Sequence, residues 1–439
     1  MAKRRPFREF EDIEIVDMTH DGRGVARVEG KAVFVDGALT GERVHAKVVK
    51  TKRRFDLATT LAVHEPSPDR VAPRCAAFGV CGGCALQHQS DAAQREAKLE
   101  ALRSAFEKIG RVMPLEWLDT LSASSWGYRR RARLGVKHVI KKGRVLVGFR
   151  ERTAPYVADM NACEVLDPRV GHKLTELSAM IETLEIHARL PQIEVAVSDD
   201  VVALVLRVLD PPGEQDIEKL NAFASAHDMD IYLQPGGLDT VAPLTQVRPL
   251  RYALPAFELE LEFEPIDFIQ VHGELNRAMV TQAVDLLGPT SEDRVLDLFC
   301  GLGNFSLPLA RRAGSVKGIE GDHGLTERAR QNAERNGLSN TEFGVADLFA
   351  EPKDFGFVGE TYDLALIDPP RTGAEAVLAS VAATGVRRIV YVSCHPGTLA
   401  RDAEALVHTH GFTLSKAGIM DMFPHTAHVE SIAVFDREV

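Results

Sequence analysis

The stretch RVLDLFCGLGNFS, residues 294–306, begins as an apolar strand, turns through Cys300-Gly301-Leu302-Gly303-Asn304 and runs on into a helical FSLPLARRA. Strand, glycine turn and helix in that order bring backbone N–H groups to a helix start, where a ligand can approach closely. The alternation then repeats. SVKGIEG reads as a strand and LTERARQNAERNG as a helix. TEFGVADL, YDLALIDPP and RRIVYVSC read as further strands, and HVESIAVFD as the last. This pattern predicts a doubly wound α/β domain with a mostly parallel sheet over residues 266–439.

Ligands of such sheets bind beyond the carboxyl ends of the strands. This chain puts acidic residues there. Asp297 closes the first strand. Glu320 closes the next, 23 residues on, where a carboxylate meets ribose hydroxyls. Asp347 ends the third strand and would face an adenine amino group. Asp368 ends the fourth and is followed by Pro369-Pro370-Arg371. A dinucleotide site would need a third glycine at position 306, which is Ser306. S-adenosylmethionine is the expected ligand instead, and a D-P-P tip beside it points to methyl transfer onto a base. Enzymes that methylate amino groups follow the prolines with an aromatic ring, so Arg371 disfavours that chemistry. Cys394 sits just past the apolar strand IVYVS. A thiol there is either a small buried hydrophobe or an aimed nucleophile.

The N-terminal half reads differently. Residues 10–64 hold about five short strands parted by DGRG, EGK and DGALTG, as in a small β-barrel of OB type. EPSPDRVAPR (65–74) is a Pro-rich linker, and 91–109 has helical periodicity with Ser90 or Asp91 as its cap. Residues 126–263 read as mainly β, with a helix near 171–185. Three units follow: 1–67, 68–265 and 266–439.

The N-terminus MAKRRPFREF lacks an apolar core and no run is long enough to cross a bilayer, so a cytoplasmic protein is expected. In that compartment six cysteines are better metal ligands than disulfides. Cys75, Cys81 and Cys84 form C-x5-C-x2-C in a Gly-rich loop, and Cys163 follows after a further 78 residues. Four thiolates suit zinc or an iron–sulfur centre. A triplet with one distant partner favours the iron–sulfur centre.

Net charge is −11, which excludes a uniformly basic nucleic-acid binder. The cations are nevertheless concentrated. Residues 1–54 hold 13 Lys/Arg against 9 Asp/Glu, and residues 126–152 hold 10 against 1. The second zone predicts local contacts to RNA or DNA phosphates. Trp126, Tyr128 and Phe149 within it suit either base stacking or core packing.

Taken together, LDLFCGLGNFSLPLA, IDPPRTG, VSCHPGTLARD, HVES and the four cysteines resemble the bacterial RNA uracil-C5 methyltransferases over nearly the whole chain. The N-terminal barrel (a TRAM domain in that family) and the cysteine motif resemble the subfamily that modifies 23S ribosomal RNA. The resemblance implies a class I, Rossmann-like methyltransferase domain preceded by a TRAM barrel and a β-rich central domain carrying a [4Fe–4S] cluster. It implies Cys394 as the nucleophile that adds to C6 of uracil, and Glu430 as the base. It implies Gln270, Phe299, Asn304, Glu320, Asp347 and Asp368 around S-adenosylmethionine, and Cys75, Cys81, Cys84 and Cys163 around the cluster. A monomer acting on 23S ribosomal RNA, with no membrane partner, is expected. Two positions depart from the family pattern, which has Asn where this chain has His272 and His395. Other readings are a transfer-RNA uracil-C5 methyltransferase, which usually lacks the barrel and the cysteines, a non-catalytic RNA-binding redox sensor, and an adenine amino methyltransferase.

Overall fold

The protein, seen as a computed structural model that describes residues 8–19, 21–244 and 246–437, is built on three large sheets. Lys3, Arg4 and Arg5 of the basic N-terminal zone lie outside the described residues.

The first sheet has six strands in the order Glu9–Glu14, Arg43–Thr51, Phe55–Glu65, Lys31–Asp36, Gly24–Val28, Asp17–Met18. Its two edge strands are consecutive in the chain, joined only by Ile15 and Val16, so the chain leaving one edge enters at the other and the sheet closes on itself. Alternation supplies the core: Val44, Ala46 and Val48 point inward along one strand, against Val33, Val35 and Ala58. The expected five strands are six, because the first is broken at Ile15. Glu42 fastens the barrel to the linker. Its carboxylate is fully buried and accepts from Arg70 Nη2 (2.8 Å), Leu39 N (2.8 Å) and Ser67 N (3.2 Å).

The second sheet orders Ala242–Pro243, Met229–Gln234, Val202–Arg207, Gln192–Val197, Arg131–Val139 and Arg144–Gly148. Gln192–Val197 and Val202–Arg207 are buried almost throughout, as apolar runs covered on both faces must be. Helix Leu174–Glu182 is the one expected near 171–185. Helix Glu214–His227 was not legible: it buries only Leu220, Phe223, Ala224 and Asp216, a sparse stripe between strong β runs.

The third sheet has eight strands. Thr341–Val345, Ser315–Glu320, Arg294–Leu298, Leu364–Ile367 and Arg388–Ser393 are parallel. Glu430–Asp436 then inserts antiparallel, followed by Thr413–Met420 and Glu116–Trp117. The pleat divides the core in two. Val295, Leu364, Leu366, Val390, Val392, Ile432 and Val434 face helix Gly273–Leu287. Leu296, Leu298, Ala365, Ile367, Ile389, Tyr391, Ala433 and Phe435 face helices Glu375–Ala383 and Pro396–His408. Strand order reverses direction between Arg294–Leu298 and Leu364–Ile367, so a crevice opens above their carboxyl ends.

Helix Asp91–Ala105 is capped by Ser90, whose Oγ accepts from Ala93 N. It continues as a π turn to Gly110 and packs on helix Pro396–His408, with strand Glu116–Trp117 extending the third sheet. Residues 91–117 therefore belong structurally with the C-terminal sheet. Gly110 permits this contact, since a Cβ there would stand 2.7 Å from the Ala400 carbonyl oxygen.

Arg70→Ala leaves Glu42 as a buried carboxylate without its cation, and it is expected to lower the unfolding free energy of the barrel by about 3 kcal/mol in urea titrations. Burial pushes the Glu42 carboxyl up, but Arg70 and the amides of Leu39 and Ser67 outweigh it and hold the group below its ordinary range. This contribution is therefore present above the ordinary glutamate range and lost as the pH falls through the folded-state value. The variant should show a flatter acid limb than the wild type; parallel limbs would contradict this.

Candidate active site

Four parallel strands deliver their ends to one crevice. Asp297 lies in the last turn of Arg294–Leu298, Glu320 ends Ser315–Glu320, Asp368 follows Leu364–Ile367 and Cys394 follows Arg388–Ser393. The antiparallel strand brings the fifth group. Ser393 pairs with Ser431, so the next step of that register sets Cys394 beside Glu430. These ends enclose a cavity of about 840 Å³, within the range of small-molecule sites.

At one end stand Phe299, Gly301, Glu320, Leu325, Asp347 and Phe349. Phe299 takes a left-handed backbone (φ 62°), which turns the chain sharply after the strand. Its ring lies 5.7 Å from that of Phe349, inclined at 45°. Glu320 is fixed by backbone amides: Gly301 N donates to Oε2 (3.0 Å), and Gly321 N and Asp322 N to Oε1 (2.8 and 3.0 Å). Beneath them Asp297 is fully buried and accepts from Ser306 Oγ. Ser306, the residue that breaks the dinucleotide pattern, is thus a partner of the strand-end carboxylate.

At the other end stand Cys394, Glu430, Asp368, Arg371, Gln270, Phe268, Phe423 and His428. Burial dominates the electrostatics here. It pushes Asp297 up to about 8, aided by Asp368 and Glu320, and Asp368 up to about 7, aided by Glu320. Glu430 is raised well above the carboxylate range by burial and then by Asp368. Burial, then Glu430 and Asp368, push the Cys394 thiol up to about 11, and Arg371 opposes them. Reactive thiols are commonly lowered by nearby positive charge. In the protein alone the reverse holds, because the crevice collects more carboxylates than cations.

Gln270, Phe299, Glu320, Asp347, Asp368, Cys394 and Glu430 share this one cavity. Asn304 is not in its wall: its Oδ1 accepts from Tyr252 Oη (2.9 Å) and Asn276 Nδ2 (3.0 Å), and its own amide donates back to Asn276 (3.0 Å). Sequence reasoning did not find Phe268, Leu325, Phe349, Phe423 and His428. Phe268 carried a signal, an aromatic directly before IQVH; it is 69% exposed at the cavity rim. The two histidines that replace Asn both cap helices. His272 Nδ1 accepts from Leu275 N (3.3 Å) and His395 Nδ1 from Thr398 N (3.2 Å), the bonds that an Asn side chain would make.

Cys75, Cys81, Cys84 and Cys163 are free thiols lining one small cavity with Phe78, Gln87, Phe149 and Met160. Gly83 N donates to Cys81 Sγ (3.4 Å), and Val165 and Leu166 amides serve Cys163. Among the described residues no group of three or more His, Cys, Asp or Glu is arranged to hold a metal ion.

The basic zone 126–152 is largely neutralised within the fold. Arg130 pairs with Asp199, Arg131 and Arg133 with Glu194, Lys142 and Arg144 with Asp159, and Arg152 with Asp36. Its aromatics pack internally: Trp126 on His425 (3.9 Å), Tyr128 on His272 (4.8 Å), Phe149 under Arg129. Arg129, Lys137, Lys141 and Arg150 are the cations of the zone outside these ion pairs. No helix among the described residues is long and apolar enough to cross a membrane.

The parallel sheet with its reversed strand order, the acidic strand ends and the single crevice define a class I methyltransferase fold. The tRNA (uracil-5-)-methyltransferase family matches residues 91–438, and the TRAM domain matches residues 8–61. The chain is 53% identical to the 23S rRNA (uracil(1939)-C(5))-methyltransferase RlmD of Alkalilimnicola ehrlichii, covering 99% of this chain and 98% of the relative. It is 50% identical to the protein of the same name from Xylella fastidiosa, over the full length of both. In fold it is similar to the Pyrococcus abyssi tRNA (uracil-54, C5)-methyltransferase, solved with S-adenosyl-L-homocysteine, at a TM-score of 0.75 and 23% identity over 97% of this chain and 100% of that one. The chain belongs to the tRNA (uracil-5-)-methyltransferase family.

With its thiol at about 11, Cys394 should be alkylated at pH 8 roughly a hundredfold more slowly than a free cysteine, because the thiolate is the reactive form. Peptide mapping after iodoacetamide treatment across pH measures this. A rate that levels off near pH 9 would contradict it.

Proposed function

We propose that this protein transfers a methyl group from S-adenosylmethionine to C5 of a uridine in 23S ribosomal RNA. One observation carries the mechanism: Cys394 and Glu430 lie beside each other at the far end of a cavity whose other end suits a nucleoside. The substrate class follows from relatives at about half identity over the full length, which carry that name.

The residues present fit the cofactor. Phe299 and Phe349 give this end of the cavity an aromatic wall for a flat base to lie against, Asp347 lines the same end for an amino group, and Glu320, with its oxygens fixed by amides, suits ribose hydroxyls. Gln270 and Asp368 border the remainder. S-adenosylmethionine, when bound, supplies a methyl group on a positively charged sulfur, which answers the excess of carboxylates. Uracil C5 is too weak a nucleophile to take that methyl unaided. Addition of the Cys394 sulfur, as the thiolate, to C6 would make an enolate, whose C5 takes the methyl group as the methyl–sulfur bond of the sulfonium breaks and the neutral thioether leaves. Glu430 takes the proton from C5, and elimination returns the sulfur. Glu430 must be ionised to take that proton, which burial and Asp368 oppose in the protein alone and the positive charge of the bound cofactor would favour. The uridine must leave its stack to reach the cavity, which favours a loop. Phe268 and Phe423 provide ring faces at the entrance.

We further infer that Cys75, Cys81, Cys84 and Cys163 hold an iron–sulfur cluster. The four thiols line one shared cavity, and an amide-to-sulfur bond of the kind that tunes clusters is in place at Cys81. The cluster would supply cross-linking of the barrel-proximal loop to Cys163.

The test is methylation of unmodified 23S RNA fragments with labelled cofactor, followed by mapping of the base. Wild type should yield 5-methyluridine, Cys394→Ala should lose at least about a thousandfold in kcat, and Glu430→Gln should accumulate a covalent RNA–protein species. Transfer-RNA methylation without ribosomal-RNA methylation would overturn the substrate, and activity surviving Cys394→Ala the mechanism. Protein purified without oxygen should carry about four iron per chain, and Cys84→Ser should lose them; zinc in place of iron would contradict the cluster.

A further inference from the structure

We propose that the loop 421–428, which walls the base end of the cavity, is a positioning element held from outside by Gln94, Lys98 and the segment following the cysteine triplet, so that RNA affinity depends on the order of the cysteine segment. This rests on the uracil-methylating reading of the site.

The loop joins strands Thr413–Met420 and Glu430–Asp436 and contributes Phe423 and His428 to the cavity. It has no regular structure of its own to hold it. His425 sits in a left-handed backbone (φ 64°) at only 2% exposure, a conformation that a non-glycine residue keeps only when its surroundings over-determine it. The surroundings are specific. The His425 carbonyl accepts from two successive amides, Ala85 N (2.8 Å) and Leu86 N (3.0 Å), the residues directly after Cys84. Gln94 binds both sides of this junction. Its Oε1 accepts from His425 N (2.8 Å), while its Nε2 donates to the carbonyls of Leu86 (3.1 Å) and Gln89 (2.8 Å).

Lys98 fixes the other end of the loop. Its Nζ donates to Asp421 Oδ1 (2.6 Å) and to the Phe423 carbonyl (2.9 Å), and both charged side chains are 3% exposed. Tyr128 Oη donates to the Pro424 carbonyl (3.0 Å). Trp126 lies against the His425 ring (3.9 Å), with Arg74, the residue before Cys75, over its own ring (5.2 Å). Neither Gln94 nor Lys98 lines the cavity. They act through the loop and are positioning residues. An ordered cysteine segment presents Ala85 and Leu86 to His425, and the loop then holds Phe423 and His428 where an extruded base would meet them. A disordered segment withdraws both amides and two of Gln94's partners at once.

Full-length wild type, Gln94→Ala, Cys84→Ser and the double variant Lys98→Met/Asp421→Leu decide the matter. The double variant removes the buried pair without orphaning a charge, so it serves should Gln94→Ala fail to fold. Hydrogen exchange of the 422–428 amides is read without RNA, with the Arg294–Leu298 strand as the folded control. In all three variants the loop amides should exchange about tenfold faster while the control strand is unchanged, the effect of losing one buried hydrogen bond. KM for a 23S RNA fragment should rise about tenfold in Gln94→Ala and the double variant, with kcat changing less than about threefold. Unchanged loop exchange, or a fall in kcat at constant KM, overturns the proposal. Wild type that exchanges as expected but methylates no RNA would instead overturn the function proposed above and leave the exchange result to decide the brace.

Discussion

Crowding of carboxylates around one thiol is the constraint on which the rest of the structure turns. Asp297, Glu320, Asp368 and Glu430 meet at adjacent strand ends; beyond the effect of burial, Asp368 and Glu320 push Asp297 up, Glu320 pushes Asp368 up and Asp368 pushes Glu430 up. Cys394 lies within this group and shares its fate. A cavity so short of cations is costly to keep empty and charged, and it is relieved by proton uptake or by a cationic ligand. A sulfonium cofactor meets that need; a dinucleotide, with its phosphates, would aggravate it.

The sheet explains how such an unfavourable gathering is maintained. Fully covered apolar strands carry the acidic groups to their tips, and the alternation of side chains leaves no freedom to slip, since a one-residue shift would exchange the two halves of the core. The antiparallel strand Glu430–Asp436 is the decisive insertion. Its register against Arg388–Ser393 makes neighbours of two residues 36 positions apart in the chain. The fixed sheet supplies Cys394 and Glu430, and the irregular loop beside it supplies Phe423 and His428 to the same cavity.

Much of this was legible in the chain. Strand tips announce themselves as apolar runs ended by Asp, Glu or Cys, which is how Asp297, Glu320, Asp368 and Cys394 stand out. Phe423 did not, because the loop that carries it has no periodicity and is held by Gln94 and Lys98, more than 300 residues away in sequence. The pairing of the basic zone was hidden for a related reason. Its charges are local in sequence, but their partners Asp36, Asp159, Glu194 and Asp199 are not, and only the fold reveals the cancellation. Asn304 was placed correctly on the glycine turn, yet its amide turns toward Asn276 and Tyr252, a choice set by side-chain packing that no spacing rule encodes.

Bonding of the Cys394 sulfur to the pyrimidine during methyl transfer can be trapped by incubating the protein with cofactor and a 23S RNA fragment containing 5-fluorouridine, where fluorine cannot leave as a proton does. The trapped complex is then digested and the modified peptide sequenced by mass spectrometry. A single adduct is expected on the peptide containing Cys394, bearing one uracil that has already gained its methyl group. An adduct on Cys300, or full RNA methylation with no covalent species at all, would contradict it.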